Sequence, residues 1–159
     1  MKRSRELRPL SSEHHQALLV AFQVKKSLEG HSEAAGAPRD LPGLVSLARR
    51  FEGQVFTAHA SAEEALLGEH LPVADRVRLE SEHAELKELV EHARTAAPGE
   101  QRASLAAFAE LLERHVRWEE RELFPYAEST LDAAALAAIG GALELRLAVA
   151  GQGAKGQRR

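Results

Sequence analysis

Apolar residues recur every three or four positions along most of the chain, in runs separated by short clusters of Gly, Pro and Ser. The first run, Leu10, Ala17, Ala21, Val24 and Leu28 with Leu18 and Phe22 beside it, predicts a helix. Its cap falls at Ser11 or Ser12, behind Pro9, and its stop at Gly30, just after Glu29. Residues 30–39 are rich in Gly, Pro and Ser and read as a loop. Asp40 caps a long second helix with Pro42 in its first turn, and Leu44, Ala48, Phe51, Val55, Ala62 and Leu66 keep the helical period until Gly68. After Leu71-Pro72, Val77, Leu79, Leu86, Leu89 and Val90 mark a third helix that ends near Ala97-Pro98-Gly99. A fourth runs from about Glu100 through Leu105, Phe108, Leu111, Leu112 and Trp118 to Pro125 or slightly beyond. Four long amphipathic helices on short connections predict an all-α fold, an up-down-up-down four-helix bundle. Ser129 or Thr130 starts a short extra C-terminal helix, interrupted at Gly140-Gly141 and expected on the outside or end of the bundle. Residues 1–150 are then one domain, and the Gly-rich, polar residues 151–159 a disordered tail.

Composition supports this reading and narrows the chemistry. Ala, Leu, Glu and Arg dominate, β-branched residues are few, and the aromatic residues are five Phe, one Tyr and one Trp, a balance that favours helices over sheets. At 159 residues the chain is long enough for a real core without disulfide staples. The absence of cysteine excludes disulfides, thiolate metal sites, iron–sulfur clusters and cysteine nucleophiles together, so any metal is held by nitrogen and oxygen. The basic start, Met1-Lys2-Arg3-Ser4-Arg5, is not followed by an apolar run of signal or membrane length, because Glu13-His14-His15-Gln16 interrupts it. A cytoplasmic protein with no membrane partner is expected. The formal net charge is -3 and the positive residues are interspersed with acidic ones, so no nucleic-acid partner is expected either.

Histidine and glutamate carry the chemistry. The second helix contains His59-x-x-x-Glu63 and the fourth His115-x-x-x-Glu119, a four-residue spacing that turns about 400° and projects each pair from one face, one turn apart. The match extends to H-x-x-x-E-E-x-x-L in both helices, ending at Leu67 and Leu123. Both pairs edge the apolar seam: His59 and Glu63 lie at helical intervals from Val55, Phe56, Leu66 and Leu67, and His115 and Glu119 from Leu111, Leu112, Trp118 and Leu123. His83 is bracketed by Leu79, Leu86 and Val90, and His14 continues the seam of the first helix. A single histidine beside an apolar face is usually just a core residue, and a single H-x-x-x-E often only an ion pair. Four histidines and two carboxylates converging in one bundle are different, because each costs several kcal/mol if it is desolvated without a partner. Metal ions turn that cost into binding energy. The expected ligands are His14, His59, Glu63, His83, His115 and Glu119. Of the adjacent His14 and His15 only one can face inward; the seam favours His14, and His15 stays open as the alternative.

These residues, taken in order, resemble the hemerythrin-like, or HHE cation-binding, family: Glu13-His14-His15 opening the first helix, His59-x-x-x-Glu63-Glu64, Glu82-His83-x-x-Leu86, and His115-x-x-x-Glu119-Glu120-x-x-Leu123-Phe124-Pro125. The resemblance spans about Leu10 to Pro125. It implies a non-haem site of two irons bridged by the two carboxylates and capped by histidines; zinc and manganese stay open as alternative occupants. It also implies a small diatomic ligand, dioxygen or nitric oxide, or a peroxide as the partner. Two departures stand out. Hemerythrins place a second histidine four residues after that of the third helix, where this chain has Lys87, and an aspartate five residues after that of the fourth, where it has Glu120, with Glu119 at the fourth position. The set resembles instead di-iron proteins linked to repair of iron–sulfur centres under nitrosative or oxidative stress, and points away from oxygen transport.

Around this core, Glu64 and Glu120 are expected as acceptors for the ligand imidazoles and Glu13 and Glu82 as surface charges. His31, His70 and His92 read as solvated, Trp118 as core, and Tyr126 as a candidate for closing the pocket. The functions in competition are a di-iron protein for sensing, scavenging or repair, and a metal-stabilised helical binding module without redox activity. The latter is weakened because no exposed apolar stripe is evident. Zinc hydrolysis ranks last, since no H-E-x-x-H is present, and no serine sits in a strand-turn-helix elbow.

Overall fold

A computed structural model describes residues 2–156 of the chain. Among them the elements are helical, with no strand. Helix α1 (Arg8–Leu28) is followed by one short turn, α2 (Ser32–Ala35), inside the segment expected to be loop. Helix α3 (Leu41–Phe51) continues through a π-helical turn, Glu52–Phe56, into α4 (Thr57–Leu66), forming one rod. Helix α5 spans Val73–Thr95. Helix α6 (Pro98–Trp118) likewise passes through a π-helical turn, Glu119–Leu123, into α7 (Phe124–Thr130). Helix α8 (Ala133–Gly156) closes the described chain.

Local chemistry explains most of the boundaries. Asp40 caps α3 as expected, its Oδ1 accepting the Gly43 N–H at 2.7 Å. Helix α1 ends at Gly30 with φ 86°, a left-handed residue that lets the His31 N–H reach the Lys26 carbonyl at 2.7 Å and the Gly30 N–H reach Ser27 at 3.0 Å. The start of α1 differs from expectation. It begins at Arg8 without a side-chain cap, and Ser11 lies inside the helix, where its hydroxyl donates to Glu120.

Side-chain contacts pair rising positions on one helix with falling positions on its neighbour. Along α1 and the α6–α7 rod, Arg3 meets Glu128, His14 meets Glu120 and Lys25 meets Glu113. Along α5 and α6, Arg78 lies over Trp118, Glu82 meets His115 and His92 meets Ser104. Two apolar clusters fill the interior. One, around Val24, Leu44, Phe56, Leu86, Phe108 and Leu112, lies on one side of the histidines. The other gathers Leu7, Leu10, Leu67, Leu79, Leu123 and Phe124.

The C-terminal helix departs most from expectation. It is neither short nor broken at Gly140-Gly141, and it continues through residues 151–156 of the segment expected to be a disordered tail; residues 157–159 lie outside the described residues. Asp132 caps it, its Oδ1 accepting the Ala135 N–H at 2.8 Å. Ile139 and Leu143 pack into the second cluster. Gly140 permits the approach: a Cβ there would sit 3.1 Å from the Glu6 Cα, whereas one on Gly141 would meet nothing. Much of α8 faces outward, with Leu145 and Val149 exposed, so the chain does carry an exposed apolar helix face. The window Ala133–Gln152 has mean hydropathy 1.6 and is only 17% buried; by length and composition alone it is apolar enough to cross a membrane.

Candidate metal centre

Each of the four rods brings one histidine to the interior between the two apolar clusters. His14 (α1), His59 (α4), His83 (α5) and His115 (α6) are buried, as are Glu63 (α4) and Glu119, the first residue of the second π turn. His15, by contrast, is exposed. The α4 and α6 pairs keep their one-turn spacing, with His59 Nε2 3.0 Å from Glu63 Oε1 and His115 Nε2 3.0 Å from Glu119 Oε1. Glu119 Oε2 lies 3.0 Å from His14 Nε2, and Glu63 Oε2 3.3 Å from His83 Nε2.

None of these four contacts has the geometry of a hydrogen bond. Both oxygens of Glu63, both of Glu119, and Nε2 of His83 and of His115 are buried and have no hydrogen-bond partner among the described residues. Six such atoms in one place are far more than folding tolerates without a partner. The donors form two overlapping sets, His14, His59, Glu63, Glu119 and Glu63, His83, His115, Glu119, within each of which one ligand atom per residue lies within 4.8 Å of the others. Both glutamates belong to both sets. The residues therefore fit a pair of cations that share two carboxylates, and nitrogen and oxygen donors suit first-row divalent metals.

The outer nitrogens explain why the inner ones face the centre. His14 Nδ1–H donates to Glu120 at 2.7 Å, His59 to Glu13 at 2.8 Å, His83 to Glu64 at 2.7 Å and His115 to Glu82 at 2.7 Å. Each bond turns Nδ1 outward, so that a neutral imidazole presents its Nε2 lone pair inward, where the Nε2 atoms of His14 and His59 lie 3.1 Å apart. Glu64 and Glu120 take the accepting role expected of them. Glu13 and Glu82, read from the sequence as surface charges, do the same, and this is a correction. The four bonds close a ring: α1 orients the histidine of α4, α4 that of α5, α5 that of α6, and the α6–α7 rod that of α1. The sequence signal is that each orienting glutamate stands next to a ligand, as in Glu13-His14, Glu63-Glu64, Glu82-His83 and Glu119-Glu120.

Electrostatics in the metal-free protein follow from this crowding. Burial opposes charge on His115, but the facing Glu119 and Glu82 overcome it and push the imidazole up to about 10. His59 is likewise raised well above its ordinary range, against burial, by Glu63 and Glu13. Burial raises Glu119, yet His115 and His14 hold it well below the usual carboxylate range. Glu120, bonded to His14, Ser11 and Arg3, is brought down to about 2 despite partial burial. The carboxylates gathered here outnumber the two arginines that reach them, an excess that protons on the imidazoles offset in the metal-free protein and that cations at the centre would offset in their place.

Beside the cluster lies a small cavity of about 10 Å³, room for about one water molecule, lined by His14, His59, His115 and Glu119 together with Ala17, Phe51, Phe56 and Leu112. Tyr126 is 38% exposed and does not close it. Trp118 is core, with its ring 6.0 Å from that of His115. Lys87 is half-buried and belongs to neither ligand set. Of the remaining histidines, His31 is exposed, His70 lies 3.5 Å from Glu69, and His92 bonds the Ser104 hydroxyl at 2.6 Å.

Fold and site together define an all-helical protein with a buried His/Glu cluster suited to metal. Residues 74–142 match the family model of the Hemerythrin HHE cation binding domain, so the resemblance read from the motifs is shown over that stretch. It contains His83, His115 and Glu119, while His14, His59 and Glu63 lie before it. Neither the curated proteins nor the solved structures yield a match to this chain.

Proposed function

We propose that the chain is a non-haem di-iron protein whose centre meets a small ligand, dioxygen, nitric oxide or peroxide, in sensing, scavenging or iron–sulfur repair. The observation that carries this reading is the set of six unpartnered, fully buried donor atoms on Glu63, Glu119, His83 and His115 beside a cavity of about 10 Å³. In this reading His14 and His59 would hold one ion and His83 and His115 the other, with Glu63 and Glu119 available to both, on rods whose antiparallel pairings support an up-down-up-down four-helix arrangement. Bound iron would supply a change of oxidation state and coordination positions not filled by protein. The protein's own part is to hold neutral imidazoles inward through the four outer carboxylates, to exclude bulk water with Phe51, Phe56 and Leu112, and to limit what enters by size. A cytoplasmic setting is part of the proposal.

The test is to load the protein anaerobically with ferrous iron and add nitric oxide, comparing wild type with Ala17→Val, which fills the cavity. Wild type is expected to develop a new visible absorption band; the variant is expected to keep its iron and respond more slowly or not at all. An iron-loaded wild type that is indifferent to nitric oxide, dioxygen and peroxide alike sinks the reading. The exposed apolar face of α8 favours a second reading, a metal-stabilised binding module. Chelation that melts the fold, in a protein without redox response, is its signature.

A further inference from the structure

Two of the four orienting carboxylates are themselves held, and the two arrangements share one plan. On one side Arg3, from the segment before α1, donates to Glu120 Oε2 at 2.7 Å, to the Glu120 carbonyl at 2.8 Å and to Glu128 at 2.9 Å. Its guanidinium also lies 5.0 Å over the Phe124 ring, and Phe124 stacks on His14 with centroids 5.3 Å apart and planes 5° from parallel. His14 is the histidine that Glu120 orients. On the other side Arg78 donates to Glu82 at 3.0 Å and lies 4.1 Å over Trp118, whose ring packs against His115. His115 is the histidine that Glu82 orients. Arginine, aromatic ring, histidine and glutamate thus recur as a unit of four.

The two units divide evenly between the ligand sets, since His14 belongs to one and His115 to the other. The second histidine of each set is treated differently. Glu13, which orients His59, and Glu64, which orients His83, meet no lysine or arginine among the described residues. A charged guanidinium donor, one bond from Arg3 Nη2 to Glu120 and one from Arg78 Nε to Glu82, holds each carboxylate in place, and the same cation lies over the aromatic ring that packs on the imidazole. Each set therefore has one histidine whose orienting carboxylate is pinned by an arginine and one whose carboxylate is not, although Phe56 packs edge-on against His83 with centroids 5.5 Å apart.

We propose that Arg3 and Arg78 are paired positioning residues, each fixing one histidine and thereby setting the affinity of one of the two metal positions. This rests on the two-ion reading above and adds to it which residue outside the ligand set governs which ion. His59 and His83 are then the ligands whose orienting carboxylates no lysine or arginine fixes among the described residues.

Titration of the metal-free protein with cobalt(II), followed by visible absorption and calorimetry, tests this. Wild type is expected to bind in two steps, and the step lost in His59→Ala marks the position shared by His14 and His59. Arg3→Met is expected to weaken that same step about 10–100-fold and to leave the other within about twofold, while Arg78→Met does the reverse. Arg117→Met, an arginine of α6 bonded to Glu113 outside both units, serves as control and should move neither step. Melting of each metal-free variant, read by circular dichroism, separates lost positioning from lost folding. Arginine variants that stay folded and bind in both steps like wild type overturn the proposal, and so do variants that weaken both steps equally. A wild type that binds no cobalt, or a single ion, fails the two-ion reading itself.

Discussion

Glu13 of α1 accepts the Nδ1 proton of His59 on α4 at 2.8 Å, a contact between helices that turns a residue resembling a surface charge into part of the centre. The carboxylate is partly exposed and His59 is not, so the bond reaches from the solvent edge inward. Glu13→Ala is expected to leave the fold intact and weaken the metal position of His14 and His59 by about 10–100-fold, as measured by metal titration. Equal affinity in variant and wild type would mean that His59 needs no orienting partner.

The seam positions and the ligand spacings were legible in the sequence because they are local. A four-residue interval on a helix needs no knowledge of the partner helix, which is why His59 with Glu63 and His115 with Glu119 could be read, and why the apolar neighbours of His83 marked it as inward. The orienting role of Glu13 and Glu82 was not legible, since each acts on a histidine of the next helix across the bundle, and neighbours at 100° to a ligand look solvent-facing in one dimension. Nor were the π turns at Glu52–Phe56 and Glu119–Leu123 visible, each lying within reach of a ligand pair. Gly140-Gly141 read as a break because glycine disfavours helices, yet Gly140 stands where a Cβ would crowd Glu6, 3.0 Å from its Cβ and 3.1 Å from its Cα.

That close approach gives a prediction about stability. Gly140→Leu pushes carbon into the Glu6 backbone and is expected to cost about 1–3 kcal/mol. Gly141→Ala, with open space around it in the same helix, is expected to stabilise by about 0.5–1 kcal/mol. Urea unfolding of both variants checks the pair, and the order of the two, rather than either value, is the point.

Proton linkage gives another, with opposite signs for the metal-free and metal-bound forms. In the metal-free protein the folded His115 sits at about 10, above its ordinary 6.5, so its contribution is full below 6.5 and fades as pH rises towards 10. Glu120 sits at about 2, below its ordinary 4.5, so its contribution is full above 4.5 and fades as pH falls towards 2. Melting of the chelator-treated protein should therefore fall between about pH 6.5 and 10. Metal ligation requires neutral imidazoles, so the added stability from metal should grow over the lower part of the same interval, and binding near pH 7 should release protons. Calorimetry in buffers of different ionisation enthalpy measures that release; none detected would contradict the protonated cluster.

Two ions held by four histidines and shared by Glu63 and Glu119 fix the metal content expected after anaerobic reconstitution with ferrous iron. Wild type is expected to bind two irons per chain, and Glu63→Ala and Glu119→Ala no more than one, with the helical fold retained in each. Wild type that takes up no iron or a single ion, or variants that still hold two, would contradict the two-ion reading.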